Sequence, residues 1–247
     1  MTITDNGWDS RAWLEGSWVH REPRRPEVRP KLLAETQLLP WLAPQLPVPV
    51  PIPEPTEYGV RHQLLVGEPL TDGSTALGRQ LGSFLKALHG VDPDEAVAYG
   101  AQDRETAAAE RAEVMQQMRD EVLPLLPTDV RAAGTALLGR LGHVFTQLVH
   151  ADLGPEHLRI RDGRVAGIID WTDAHIGDPA LDLSWLLHNS PAGIAAGVAE
   201  TYEVSHELRE RARDWHRLGP WYAVLYGLEN DLPDEIEGGL AGVLVRL

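Results

Sequence analysis

At 247 residues, 43% of them hydrophobic, the chain can bury a substantial core as one large domain or as two modest lobes. It contains no cysteine, which excludes disulfides, Cys-based zinc sites and thiol catalysis and agrees with a reducing, cytoplasmic setting. The formal net charge of −15, with most of the excess acid beyond residue 70, argues against nucleic acid and anionic membrane surfaces as partners and permits a cationic small molecule; a merely soluble acidic surface is an equal reading.

In chain order, residues 11–21 alternate enough to predict a hairpin with Glu15-Gly16 at its turn. Leu32, Leu33, Leu38, Leu39 and Leu42 fall at approximate helical spacing, and Pro44 closes that segment. The run PVPVPIPEP at 47–55 is too rich in proline for a helix or a central strand and reads as an extended connector, with a ligand for a Pro-binding domain as the lesser alternative. Residues 58–66 supply a strand, and 67–70 a hinge that divides residues 1–68 from residues 69–247. Leu77, Leu81, Phe84, Leu85 and Leu88 predict a helix over 74–89 that Gly90 ends. Residues 103–123 and 128–144 are two more helical segments, broken by Pro124 and Pro127. Beyond a central hairpin, 179–188, 194–218, 221–229 and 236–247 read as helices. The pattern is α+β, with a strand-rich first part and a mainly helical remainder. No run approaches the roughly 18 apolar residues of a membrane span, and no apolar stretch follows a basic amino terminus.

The central hairpin carries the most chemistry. Asp162-Gly163 is a two-residue turn of the strongest hairpin type, separating HLRIR from RVAGIID. If residues 161 and 164 flank that turn, His157 lies opposite Ile168, and Asp170 sits two residues further along on the same face. Such diagonal positions are roughly 7–8 Å apart at their α-carbons, within reach of one shared ion. Asp152, in the loop just before, then sits beside that ion.

These residues also carry a resemblance. The segment from His150 to His157, HADLGPEH, resembles the HxDxxxxN catalytic loop of the aminoglycoside phosphotransferase family within the protein-kinase-like superfamily. Ile169-Asp170-Trp171 resembles its metal-binding Asp segment, and the GDPALDL that follows recurs there too. His157 stands where most members carry Asn; the macrolide phosphotransferases are similar to this chain in having His. The resemblance implies a two-lobed protein-kinase-like fold with a nucleotide-binding N-lobe at 1–68. It also implies transfer of the γ-phosphate of ATP or GTP, with Mg²⁺, to the hydroxyl of a small molecule, with aminoglycosides, macrolides and ordinary metabolites all among the implied acceptors.

Residue roles follow from the resemblance. Asp152 would accept the proton or hydrogen bond of the attacking hydroxyl, and Asp170 would hold the metal, with His157 as a second ligand or water anchor. Magnesium prefers oxygen, so the His weakens the second metal position or acts through water. His150 is read as a structural holder. Asp178 and Asp182 would fix the catalytic loop through its amides, an N-cap role for Asp178 being an equal account. In the N-terminal part, Gly7, Trp8, Asp9 and Ser10 resemble a GWDN phosphate-contacting turn, Ser10 replacing Asn. Arg21 aligns with the phosphate-facing cation and Glu35 with its partner, although Arg24 and Arg25 lie close enough to compete. Gln63, Leu64, Leu65 and Val66 complete the expected nucleotide site. Trp221, Tyr222 and Tyr226 either pack in the core or line a substrate cleft, where Glu229 and Asp231 would meet a cationic ligand. There is no GxxxxGK[ST] phosphate loop and no zinc spacing. The alternative to an enzyme is a kinase-like binding protein without catalysis.

Overall fold

In the computed structural model the described residues are 2–4, 9–71 and 73–247, the first three by backbone alone. β1 (Thr2–Thr4), β2 (Ser10–Glu15) and β3 (Trp18–Pro23) are successive antiparallel strands. Glu15 pairs with Trp18, so the β2-β3 turn is Gly16-Ser17, one residue beyond the expected position, and Gly16 supplies its positive φ of 62°. α1 (Val28–Leu42) buries Val28, Leu32, Leu38, Leu39 and Leu42 and runs through Pro40 before a 3₁₀ turn at Ala43–Gln45. The proline-rich stretch stays extended, burying Val48 and Val50 in the core, and ends in β4 (Glu54–Pro55). With β5 (Val60–Gln63) it completes a five-stranded sheet ordered β1-β2-β3-β5-β4.

The segment expected as a hinge carries a short strand. β6 (Glu68–Pro69) adds antiparallel to β8 (Leu158–Arg161) of the central hairpin once β7 (Gln147–Val149) has led into it, and Leu70 N–H donates to the Pro155 carbonyl at 3.0 Å. The hairpin closes with β9 (Arg164–Ile168) through Asp162-Gly163, both at positive φ. β10 (His175–Gly177) pairs antiparallel with β7.

The rest is helical: α2 (Thr75–Leu88), α3 (Pro93–Ala98), α4 (Arg104–Gln117), α5 (Arg131–Arg140), α6 (Ala180–His188), α7 (Ala192–Tyr202), α8 (His206–Glu229) and α9 (Pro233–Arg246). Polar caps set several starts: Ser74 accepts from Leu77 N, Asp103 from Glu105 and Thr106 N, and Ser205 from Leu208 N. α3 was not anticipated, although Asp92-Pro93 is a start signal, an N-cap acid before a proline at the first helical position. The helix expected over 103–123 leaves α geometry at 118, passing through a π turn and a 3₁₀ turn before Leu126.

Two helix boundaries differ from expectation. The predicted 194–218 helix is split, because Glu203 adopts a left-handed conformation (φ 61°) that ends α7 and Ser205 restarts the chain as α8. Conversely, α8 continues through Pro220, where a break was expected. Pro220 forfeits one helical hydrogen bond, while burial of Leu218, Trp221, Val224 and Leu225 on either side of it holds the helix in register.

α2 and α7 cross at glycines. A methyl group at Gly197 would overlap the Thr75 carbonyl oxygen, and one at Gly78 would overlap that of Ile194. Gly197→Ala is therefore expected to destabilise the fold by about 1–3 kcal/mol, as overpacking does. Urea denaturation checks this, and an unshifted midpoint would mean the helices do not approach so closely. Among the described residues no helix is long and apolar enough to cross a membrane.

Candidate active site

Pairing of β7 with β10 sets Val149 against His175, which brings the loop at 150–154 alongside the loop at 169–174. Asp182, at the start of α6 and 1% exposed, fastens the first loop: its carboxylate accepts from His150 N–H and Ala151 N–H, both at 2.8 Å, and meets His89 Nε2 at 3.1 Å. Burial pushes this carboxyl up, but the bonds and charges of His89 and His150 outweigh it and hold it below the usual range. Asp178 does a different job, accepting from Ala180 N–H at the start of α6 and from Trp215 Nε1, and pairing with Arg211. The capping account is therefore the one the geometry gives for Asp178, and the loop is held by Asp182.

His150 is fully buried and joins the two loops. Its Nδ1 accepts from Asp152 N–H at 3.3 Å, and its Nε2 donates to the Ile169 carbonyl at 3.0 Å. Burial depresses its pKa to about 4, so it stays neutral. Trp171 seats the second loop by donating from Nε1 to the Ile168 carbonyl and packing edge-on against Phe84 and His150.

Within this frame Asp152, His157 and Asp170 converge. His157 Nδ1 donates to the Asp152 carbonyl at 2.7 Å and lies 3.4 Å from its carboxylate; His157 Nε2 lies 3.7 Å from Asp170 Oδ2. The proximity arises differently from the register argument. A bulge between Arg159 and Ile160 sets Leu158, not His157, opposite Ile168, and His157 instead receives the Ile169 N–H. Asp170 itself is left-handed (φ 65°), and this backbone turn, not a shared strand face, leaves its carboxylate beside the imidazole. Asp152 keeps 55% of its side chain open to solvent through the cleft mouth, yet the surrounding protein pushes its carboxyl up to about 6. Burial is the main cause, opposed by His157 and reinforced by Asp173, Asp170 and Glu156.

Arg21, 7% exposed, lies under Asp170. Its guanidinium reaches both Glu35 oxygens at 2.9 and 3.0 Å, Asp170 Oδ1 at 2.6 Å and Thr172 Oγ1 at 2.5 Å. Thr172, to which the sequence assigned no role, also contacts Glu35 Oε1 and Asp170 Oδ1. Burial alone would lower the Arg21 pKa, but Glu35 and Asp170 raise it, so it remains charged. For Asp170 burial acts upward and is outweighed by Arg21, His157 and Thr172, which leaves the carboxyl below its usual range. The two Asp170 oxygens are thus divided, Oδ1 facing Arg21 and Oδ2 facing His157 Nε2.

That division fits a divalent cation. With Nδ1 engaged by the Asp152 carbonyl, His157 Nε2 is the ring nitrogen left facing Asp170 Oδ2, and these two atoms are the pair that would hold a cation. Among the described residues no group of three His, Cys, Asp or Glu side chains forms a complete cage. Of the two donors, the Asp170 oxygen suits magnesium directly and the His157 nitrogen suits it through a bound water.

Other expected site residues are dispersed. Gly7 and Trp8 lie outside the described residues. Asp9 pairs with Arg25 at 2.6 Å, and Ser10 is buried at the head of β2. Gln63 pairs with Trp18, Leu64 N–H donates to the Ser17 carbonyl, Leu65 packs over Gly167, and Leu64 and Val66 are exposed. A cleft of about 760 Å³ opens beside Asp152, walled by α1, α4, α6 and α8. Tyr222 lines it; Trp221, Tyr226, Glu229 and Asp231 do not. Trp221 is wholly buried in the core, and Glu229 and Asp231 are exposed away from this cleft, so the expected recognition of a cation by those two acids does not take place in it. Lys31, Arg111 and Asp173 do line it and were not anticipated. Asp173, three residues after Asp170, pairs with Lys31 at 3.6 Å.

Comparison with known proteins places this geometry. The family model described as "Phosphotransferase enzyme family" matches residues 2–221. Viomycin phosphotransferase of Streptomyces vinaceus is 33% identical over 132 residues, 48% of this chain and 45% of that protein. An uncharacterized protein, YcbJ of Bacillus subtilis (strain 168), is 28% identical over 200 residues, 67% of this chain and 60% of that protein, so the matches span less than two thirds of both relatives. Among solved structures, the apoenzyme of macrolide 2'-phosphotransferase MphH from Brachybacterium faecium superposes with a TM-score of 0.75 at 27% identity, covering 98% of this chain and 90% of that one. A GDP and kanamycin complex of APH(2")-IIia gives a TM-score of 0.85 at 22% identity, over 100% and 94%, and shares the protein-kinase-like fold.

Proposed function

The chain belongs to the phosphotransferase enzyme family, and from that premise we propose that it transfers the γ-phosphate of ATP or GTP to the hydroxyl of a small molecule, with Asp152 as the catalytic residue. The observation that carries this reading is the convergence of Asp152, His157 and Asp170 at the edge of the cleft, above the ion pair of Arg21 with Glu35. In this reading residues 1–68 form the nucleotide-binding lobe and residues 69–247 the catalytic one, with Leu64 and Val66 exposed toward the base. The acceptor occupies the 760 Å³ cleft. Structural neighbours determined with GDP or with ATP bound support nucleotide use.

The chemistry follows from position and charge. Asp152 orients the acceptor hydroxyl and takes its proton as the oxygen bonds to the γ-phosphorus; the bond from that phosphorus to the leaving diphosphate oxygen breaks, and nucleoside diphosphate departs. His157 keeps Asp152 in place through its carbonyl and, with Asp170, would hold Mg²⁺, whose charge neutralises phosphate oxygens when bound. Arg21, tethered by Glu35, supplies fixed positive charge beneath the same site.

Two measurements test this. Nucleotide turnover with Mg²⁺ across a panel of hydroxyl-bearing compounds should be stimulated by at least one acceptor, whereas nucleotide binding with no stimulated turnover would favour a kinase-like binding protein. The pH profile carries the Asp152 signature. The base works deprotonated, so with a carboxyl pKa of about 6 the kcat/KM of the free enzyme should fall as pH drops through that value, about tenfold per unit below it. A profile flat down to pH 4.5 would remove Asp152 from the role of base.

A further inference from the structure

We infer that the acceptor carries a carboxylate, bound by Arg111 on the floor of the cleft; this rests on the phosphotransfer reading and names the substrate class of that same site.

The cleft's charges divide unevenly. Glu35 is matched by Arg21 and Asp173 by Lys31, Asp152 serves the transfer, and Glu110 and Glu156 stand at the exposed rim. Arg111 is left over. It projects from α4 into the cleft, half-buried, with its guanidinium carbon 4.9 Å from the centroid of the Trp215 ring and 6.0 Å from that of Tyr222, and it donates to the Tyr222 hydroxyl. No carboxylate lies within ion-pair distance of it among the described residues. The phenol cannot serve as counterion, since burial raises the Tyr222 pKa and keeps it protonated. His175, which also lines the cleft and feels the Arg111 charge, is pushed toward the neutral form by burial.

A half-buried cation on an aromatic floor has lost part of its water and gains no opposite charge from the protein. Two faces of its surroundings are already rings, so what remains open to it is the cleft itself. Guanidinium presents paired N–H donors in a plane, the geometry that a carboxylate accepts in two parallel bonds. An ammonium placed there would be repelled, which sets this floor against polycationic acceptors.

The test uses the full chain with nucleotide and Mg²⁺ present. Small hydroxyl compounds are prepared in matched pairs, each as free carboxylate and as primary amide, and binding is read by calorimetry separately from transfer. The carboxylate of at least one pair should bind at least about tenfold more tightly than its amide. Arg111→Lys should keep part of that preference, Arg111→Gln should erase it, and Tyr222→Phe, which removes a hydrogen-bond partner but not the cation, should keep it. Circular dichroism confirms that each variant is folded. Equal binding of acid and amide by the wild-type chain, or a preference that survives Arg111→Gln, overturns the inference. Tight, Arg111-dependent binding without transfer upholds a carboxylate site at Arg111 and overturns the phosphotransfer reading, so the two fail separately.

Discussion

Asp152→Asn is expected to lower kcat by about 10²–10⁴-fold, the range that loss of a positioned general base costs, while nucleotide affinity stays near the wild-type value. The substitution keeps the shape and the backbone carbonyl that accepts from His157 Nδ1, so the neighbouring donors stay where they are. Only the acceptor of the hydroxyl proton is lost. Stopped-flow or steady-state kinetics with calorimetric nucleotide titration separates the two quantities. A variant that loses nucleotide affinity in parallel with kcat would place Asp152 in binding instead of proton transfer.

Asp182→Ala should give the largest loss of stability, about 3–5 kcal/mol, because it removes one member of a buried charged network and orphans its partners. The buried His150 N–H and the partly buried Ala151 N–H would both lose their acceptor, and His89, held on its other side by the Tyr202 hydroxyl, would lose its carboxylate. The same change frees the backbone at Ala151, whose φ of 72° is a conformation L-residues adopt only when surrounding bonds enforce it. Denaturant unfolding measures the stability, and the kcat of the folded fraction should fall as well. A loss under about 1 kcal/mol would show that the catalytic loop holds its shape without this carboxylate.

Much of this arrangement was legible in the residues because it is local. Asp162-Gly163 dictates a tight turn, and the pairing of Arg161 with Arg164 across it is the expected one. The Leu77-to-Leu88 stripe is one face of a 3.6-residue helix and became α2. The family resemblance, carried by HADLGPEH and IDW, led to the fold. Less legible were features set by geometry that residue type does not encode. The β8-β9 bulge leaves no trace in an alternation as short as HLRIR and RVAGI, so the register reached the right neighbours by the wrong path. Pro220 reads as a break, yet packing on both sides of it carried α8 through, and of the two readings open for Trp221 the core is the one it takes.

The cleft floor was the least legible of all. Arg111 and Tyr222 are 111 residues apart, and Trp215 lies on the same late helix as Tyr222, so only the tertiary crossing of α4 with α8 brings a cation over two rings. Acidic composition permits a cationic ligand, whereas on the cleft floor the group without a carboxylate partner is a cation, Arg111. Net charge describes a surface, whereas recognition depends on the few charges that folding leaves unmatched.

The most direct measurement of the central claim follows the γ-phosphate itself by ³¹P NMR, with nucleotide, Mg²⁺ and a stimulating acceptor present. A phosphate-ester resonance should grow in step with nucleoside diphosphate for the wild-type chain and be absent for Asp152→Asn. Nucleoside diphosphate accompanied only by inorganic phosphate, at a rate indifferent to both acceptor and Asp152, would contradict it.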